Sequence, residues 1–293
     1  MTWWAVVNPT AGGRQRPEDR VRAALSSRSI LAQIHISESG AHVGELVAEG
    51  IAAGHQRFLA VGGDGTASLV ADALLQHPWD YPPTLGILPS GSGCDFIRSF
   101  GFAQTLEEAV RHLEGEETYP IDVGVACGAW GERRFLNALD AGVIGATVKT
   151  AQRFTRRLGR LRYQAAFLLR APFFRRTAIR LDLGDRTIEH QATTVVIANG
   201  QFFGFGINVA PRASLIDGLL ETMVVAAGPF KTMSLLPTVR RGEHLKHSAV
   251  HRFSAGRLRL ETARPWPIEI DGDYLGETPV DISVLPAALR LKI

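Results

Sequence analysis

"FLAVGGDGTAS", residues 58–68, sets four apolar residues directly before Gly62-Gly63-Asp64-Gly65-Thr66. A short, nearly continuous apolar run that stops at glycine has the pattern of a strand buried on both faces, and the stretch that follows, "TASLVADALLQH" (66–77), has the period of an amphipathic helix. The glycines therefore occupy a strand-to-helix turn, the repeating unit of a doubly wound parallel sheet. They serve either as a tight turn or as a cradle of backbone N–H groups for phosphate. A cradle needs residues without a Cβ, which let the chain approach closely and adopt positive φ, and the helix start adds the positive end of its dipole. Asp64 is harder to explain as turn chemistry: a carboxylate beside phosphates is useful through a bridging Mg²⁺ or as a proton acceptor.

The pattern extends outward from this stretch. "WWAVV" (3–7), "AQIHI" (32–36) and "TLGIL" (84–88) are further buried strands, with helices expected over 17–27, 40–54 and 66–77 between them and a last helix over 105–117. Two more glycine and hydroxyl loops leave strand ends, "NPTAGG" (8–13) and "LPSGSGCDF" (88–96). Three such loops at neighbouring carboxyl ends of a sheet are best explained by one nucleotide. None has the G-x-x-x-x-G-K-[ST] form, and none has G-x-G-x-x-G after a strand.

From "TYPIDVGVACG" (118–128) onward the texture changes to short alternating runs with turns between them: 177–183, 193–200, 207–211, 219–228, 257–262, 266–273 and 280–286. Helices are expected around 150–170 and 229–241. The expected fold is an N-terminal doubly wound α/β nucleotide-binding domain over 1–117, to which a last strand at about 285–293 returns, plus an antiparallel β-sandwich domain over 118–284.

The chain has 293 residues, of which 45% are apolar and 21% charged, with a net charge of +3. That is enough for two cored domains and unlike a disordered or collagenous chain. Two cysteines, Cys94 and Cys127, allow at most one disulfide and no metal cluster, so a reducing compartment is the simpler expectation. With no basic leader at the start and no run of 18 apolar residues, a cytoplasmic protein is expected. The cations are unevenly placed: between Asp140 and Asp182 there is no acid, but Lys149, Arg153, Arg156, Arg157, Arg160, Arg162, Arg170, Arg175, Arg176 and Arg180 alternate with apolar and aromatic residues. Such a segment is either a solvated helix face or a surface for an anionic membrane. Neither a zinc-finger pattern nor an RNP motif points to nucleic acid, and a homo-oligomer is compatible with the sequence.

Together, "VVNPTAGG", "GGDGT", "LPSGSGCDF", "ANGQFFGFGINVAPRASLIDGLLE" and "IEIDGD" resemble the diacylglycerol kinase catalytic-domain family, in particular its soluble bacterial lipid kinases. GGDGT alone is shared with NAD kinases; the Asn-Pro loop, the 209–221 segment and the late Asp-Gly-Asp are more specific. The resemblance implies ATP between two domains, contacted by Asn8, Ser37, Gly62, Gly63, Asp64, Gly65, Thr66, Ala67, Ser68, Gly91 and Ser92. It implies Asp271 as the base that activates the acceptor hydroxyl, with Asp273 standing where the family has Glu; beside it, Asp64 remains the expected metal or phosphate contact. It implies a structural Mg²⁺ held by Asp217 and the carbonyls of Ser214 and Leu219. The substrate implied is a membrane lipid, diacylglycerol first, reached through peripheral contact of 149–180 with the bilayer.

Departures from the family pattern are Ser37 and Ser92 for Thr, Cys94 for Asn, Ser68-Leu69 for Asn-Glu, and Ile216 for Asp. An NAD kinase-like enzyme and a non-catalytic lipid- or nucleotide-binding module remain as alternatives. Without the family, Asp271-Gly272-Asp273 is a hairpin turn, and Ser214–Leu219 an Asp-Gly turn.

Overall fold

The computed structural model describes residues 2–9, 17–90, 94–155, 158–159, 161–204 and 206–293. They form two compact units, 1–123 with 285–293, and 124–284. The change of texture at 117/118 falls at the start of a strand, Thr118–Gly128, and the units meet inside that strand at Val123/Gly124.

In the first unit, β1 (Trp3–Val7), α1 (Pro17–Ser26), β2 (Ala32–Ile36), α2 (Gly40–Ala52), β3 (Arg57–Gly62), α3 (Asp64–Leu74) and β4 (Thr84–Pro89) alternate as the apolar runs require. They are followed by two four-residue helices, α4 (Asp95–Arg98) and α5 (Leu106–Ala109), and by β5 (Thr118–Gly128). The strands pair in parallel in the order β2-β1-β3-β4. The end of the last strand, β18 (Val280–Lys292), returns to lie parallel to β4, with Arg290 opposite Thr84. All five residues of β1 are buried, as expected of a parallel strand covered on both faces. Gly50 of α2 is needed because a Cβ there would meet the rings of Phe58 and Trp4 at 2.8 Å. The helix expected over 105–117 is much shorter: α5 passes into a 3₁₀ turn that ends at Leu113.

In the second unit the chain continues through β6 (Gly131–Phe135), β7 (Ala138–Gly142), α6 (Val143–Ala151), α7 (Leu161–Arg170), β8 (Thr177–Asp182), β9 (Thr187–Ala192) and β10 (Thr194–Ala198). Then come β11 (Phe202–Phe203), β12 (Ile207–Asn208), β13 (Leu220–Val225), α8 (Pro229–Ser234), α9 (Leu236–Arg240), β14 (Val250–Ala255), β15 (Arg257–Thr262), β16 (Pro267–Ile270) and β17 (Asp273–Glu277). A six-stranded antiparallel sheet runs β14-β13-β10-β7-β16-β17. The other sheet pairs the start of β18 with β15, β15 with β8 and β8 with β9, all antiparallel. One apolar core joins them, with Leu139, Val195, Val224 and Ile268 from the first sheet and Ile179, Leu181, Leu260 and Ile282 from the second. This is a β-sandwich.

Two expected helices are interrupted. The one around 150–170 is split into α6 and α7, and the one around 229–241 breaks where Pro237, early in α9, has no N–H to continue the preceding turn. The expected strand 207–211 shrinks to Ile207–Asn208.

Candidate functional site

In unit 1 the four parallel strands end side by side. Val7 lies opposite both Ile36 and Val61, and Gly62 lies opposite Pro89. The ladder carries on one residue further: the N–H groups of Asn8, Ser37 and Ser90 donate to Val61 O (3.0 Å), Val7 O (3.0 Å) and Gly62 O (2.9 Å). Asn8, Ser37, Gly62 and Ser90 therefore form a row at the carboxyl edge, where parallel sheets bind ligands. Ser90 was not anticipated; its signal is only that it follows the last apolar residues of β4. Gly91 and Ser92, together with residues 10–13 of the first loop, lie outside the described residues.

Of the two expected reasons for glycine, close approach holds at Gly62 and positive φ at none of the three. None of Gly62, Gly63 and Gly65 takes a positive φ, and Gly63 is extended at φ −102°. Gly62 is needed for close approach, because a Cβ there would run into Thr66 Oγ1. That hydroxyl accepts from Asn8 Nδ2 at 3.2 Å and so ties the first loop to the second. At Gly65 a Cβ would meet nothing within 4 Å, which leaves the start of α3 open where an anion binds a helix dipole. Ala67 and Ser68 are each 1% exposed. Both are packed into the unit, and the hydroxyl of Ser68 has no partner among the described residues. α3 starts at Asp64, two residues before Thr66.

Asp64, expected at the metal or phosphate, accepts three hydrogen bonds from the third loop. Its Oδ2 accepts from Asp95 N–H at 2.8 Å, and its Oδ1 accepts from Phe96 N–H at 2.9 Å and from the Cys94 thiol at 3.3 Å. The carboxylate thus satisfies the first N–H groups of α4 and fastens the third loop to the second. Burial, reinforced by the charge of Asp64, raises Cys94 well above the usual thiol range, so it stays a protonated donor.

In unit 2, Asp271 and Gly272 are the two-residue loop of the β16–β17 hairpin, both at positive φ (46° and 98°). This is the conformation of a type I′ turn, for which Asp-Gly is a favoured sequence. Asp271 is 7% exposed. Its Oδ2 accepts from Leu136 N–H (2.8 Å), and its Oδ1 from the N–H groups of Asn137 and Ala138 (3.0 Å each). Gly272 N–H in turn donates to Glu269 Oε1. Asp273 is exposed, 3.8 Å from the Arg133 guanidinium. Neither the 136–138 donors nor Glu269 carried a signal in the sequence, because backbone N–H groups have no side-chain code.

Asp217 is exposed and accepts Leu219 N–H at 3.0 Å, within a turn whose Gly218 has φ 70°. Its carboxylate and the carbonyls of Ser214 and Leu219 belong to one short loop of hard oxygen donors, a chemistry that suits Mg²⁺. Among the described residues no group of three His, Cys, Asp or Glu side chains is placed to hold a metal. The basic segment divides by environment: Lys149 pairs with Glu277 at 3.1 Å and Arg170 bonds Thr150, whereas Arg175 and Arg176 are exposed. Arg156, Arg157 and Arg160 lie outside the described residues. Leu161 (61%), Leu168 (62%) and Phe173 (80%) are exposed, as is Phe230 (75%) on α8, which packs against the 171–173 turn. No helix among the described residues is long and apolar enough to cross a membrane.

Residues 2–126 match the diacylglycerol kinase catalytic domain, and residues 137–293 match the YegS C-terminal NAD kinase beta sandwich-like domain. A diacylglycerol kinase of Mycobacterium tuberculosis is 30% identical over 250 residues, covering 84% of this chain and 79% of that one. A Pseudomonas aeruginosa protein named "Probable lipid kinase YegS-like" is 28% identical over 285 residues, covering 96% and 92%. A solved structure of a diacylglycerol kinase from Bacillus anthracis str. Sterne superposes with a TM-score of 0.74 at 21% identity over 99% of this chain and 96% of that one, a likeness of fold.

Proposed function

This chain belongs to the diacylglycerol kinase catalytic-domain family and is a lipid kinase, and from that premise we propose that it transfers the γ-phosphoryl group of ATP to the free hydroxyl of diacylglycerol, giving phosphatidic acid. The observation that carries this reading is Asp271, a carboxylate fixed at a hairpin tip by three backbone N–H groups. Phosphoryl transfer passes through a loose transition state, so it asks for placement more than for a strong base. The acceptor oxygen forms a bond to the γ-phosphorus as the bond from phosphorus to the bridging oxygen of ADP breaks, and the hydroxyl proton passes to Asp271. Three N–H bonds hold Asp271 in place, which suits a reaction that depends on placement of the acceptor hydroxyl.

In unit 1, Asn8, Ser37, Gly62 to Thr66 and Ser90 form the nucleotide edge. Here Asp64 acts through the third loop, which it fastens, rather than by touching metal. Asp217 with the carbonyls of Ser214 and Leu219 would hold Mg²⁺, whose chemistry there is to fix the 214–219 loop. Arg175, Arg176, Leu168, Phe173 and Phe230 make a basic, apolar surface suited to the anionic membrane that contains the acceptor. The test is Asp271→Asn, which is expected to keep ATP binding and lose lipid phosphorylation.

A further inference from the structure

Away from the residues assigned above, unit 2 buries two carboxyl groups against each other. Asp140 of β7 and Glu269 of β16 are direct cross-strand partners, and each is 0% exposed. Directly opposed residues in an antiparallel pair hold their Cβ atoms about 5 Å apart. Their neighbours Leu139, Ala141, Ile268 and Ile270 belong to the core between the two sheets, so by strand alternation both acids occupy the other face. There α6 covers them: Gly145 N–H bonds Asp140, and Gly145 lies so close to Pro267 O that a Cβ would not fit.

One oxygen of each carboxyl has a donor. Asp140 Oδ1 accepts from Thr194 Oγ1 at 3.3 Å, and Glu269 Oε1 accepts from Gly272 N–H. The other two, Asp140 Oδ2 and Glu269 Oε2, are fully buried with no partner among the described residues. Two ionised oxygens in that position would lack donors and repel each other. A single proton between them supplies one donor and one acceptor and removes one of the two charges.

Among the described residues, the groups that face the pair supply no cation. Tyr274 stands opposite Glu269 on β17, Thr194 and Val196 flank Asp140 on β10, and Lys149, the cation of α6, is bound to Glu277 and lies over the Tyr274 ring. The remaining charges, Asp271 and Asp273 in the adjoining turn, are negative and oppose ionisation of Glu269. Burial first, then for Glu269 the charge of Asp140, holds both carboxyls well above the usual carboxylate range.

We propose that Asp140 and Glu269 share one proton, and that Glu269, by holding Gly272 N–H, is the positioning residue that sets the Asp271 turn for catalysis. The second half rests on the reading of Asp271 as the base. The bond from Gly272 to Glu269 closes the turn on the strand that precedes it, and the shared proton keeps Glu269 in place without a second buried charge.

Because the folded pair binds its proton more tightly than the unfolded chain does, stability is greatest at low pH and falls as pH rises through the folded-state titration. The experiment measures melting temperature from about pH 5 to about pH 9 together with turnover. E269Q keeps an acceptor for Gly272 N–H and brings an amide donor for Asp140; D140N likewise replaces the proton with an amide. Both variants are expected to flatten the loss of melting temperature at high pH, and E269Q to keep kcat within about threefold of the wild type. E269L, which removes the acceptor, is expected to lose kcat by about tenfold or more with KM for ATP unchanged. Melting curves that stay as steep in E269Q and D140N as in the wild type overturn the shared proton, as does a wild-type melting temperature that depends on added Mg²⁺ through this pair. Wild-type kcat in E269L overturns the positioning role. D271N is measured alongside: wild-type turnover there overturns the base reading and the positioning role with it, while the melting curves still decide the shared proton.

Discussion

Asp64 in unit 1 and Asp271 in unit 2 are both carboxylates held by backbone N–H groups from distant segments, at 95–96 and at 136–138 respectively. They differ in what the anchoring does. Asp64 begins a helix and binds the loop that follows the next strand, so its donors are the structure it organises. Asp271 sits at the tip of a two-residue hairpin, and its donors hold the carboxylate where the turn presents it. On the proposed reading, the same kind of bond makes one acid a fastener and the other a positioned base, and the two roles separate under substitution.

The largest difference is expected at Asp271→Asn. Transfer should fall by about a hundredfold or more, the contribution of a general base, while KM for ATP stays near the wild type. Titration with a fluorescent ATP analogue beside initial-rate kinetics distinguishes this from unfolding. Asp64→Asn should do the opposite: its amide turns a donor toward the N–H groups of Asp95 and Phe96, costing about 1–3 kcal/mol of stability and raising KM for ATP more than it lowers kcat. Denaturant unfolding and kinetics on the same sample check this. If Asp64→Asn lost only kcat, the contrast between fastener and base would collapse.

Gly62→Ala is the next step down. A Cβ there displaces Thr66 and with it the Asn8 bond, so KM for ATP should rise by about tenfold with the chain still folded by circular dichroism.

How much of this was legible follows from where the signals lie. Parallel strands buried on both faces are continuous apolar runs, and β1, β3 and β4 were placed within a residue; β2 has the expected bounds, but it lies at the sheet edge with none of its five residues buried. β6 (Gly131–Phe135) and β9 (Thr187–Ala192) escaped because the charged and polar residues of "GERRF" and "TIEHQA" leave no run of apolar residues to mark a strand. The hairpin turn that carries Asp271 was legible as Asp-Gly. Its anchoring was not, because the donors are the backbone of Leu136, Asn137 and Ala138, more than 130 residues away. Asp64 was located, but the bonds it accepts from 94–96 were not foreseen, for the same reason. Asp140 and Glu269 were hidden as single acids, Glu269 within an expected strand and Asp140 within "ALDAG", a strand that was itself not anticipated.

The smallest effect sharpens the unit 1 side. Cys94 donates its thiol to Asp64 where the family pattern has Asn. Cys94→Ser keeps a donor and should be neutral within about 0.5 kcal/mol, whereas Cys94→Ala should lose about 1 kcal/mol. Thermal melting of the two variants checks it. Since the raised thiol is also buried, alkylation of Cys94 in the native protein should be slow until denaturant is added.

The most direct test of the account is incubation of the purified chain with labelled ATP, Mg²⁺ and vesicles of phosphatidylcholine containing diacylglycerol, with separation of the lipid products. Labelled phosphatidic acid, formed by the wild type and absent with Asp271→Asn, is the predicted result. ATP bound without any labelled lipid, or label transferred to NAD in place of the lipid, would contradict it.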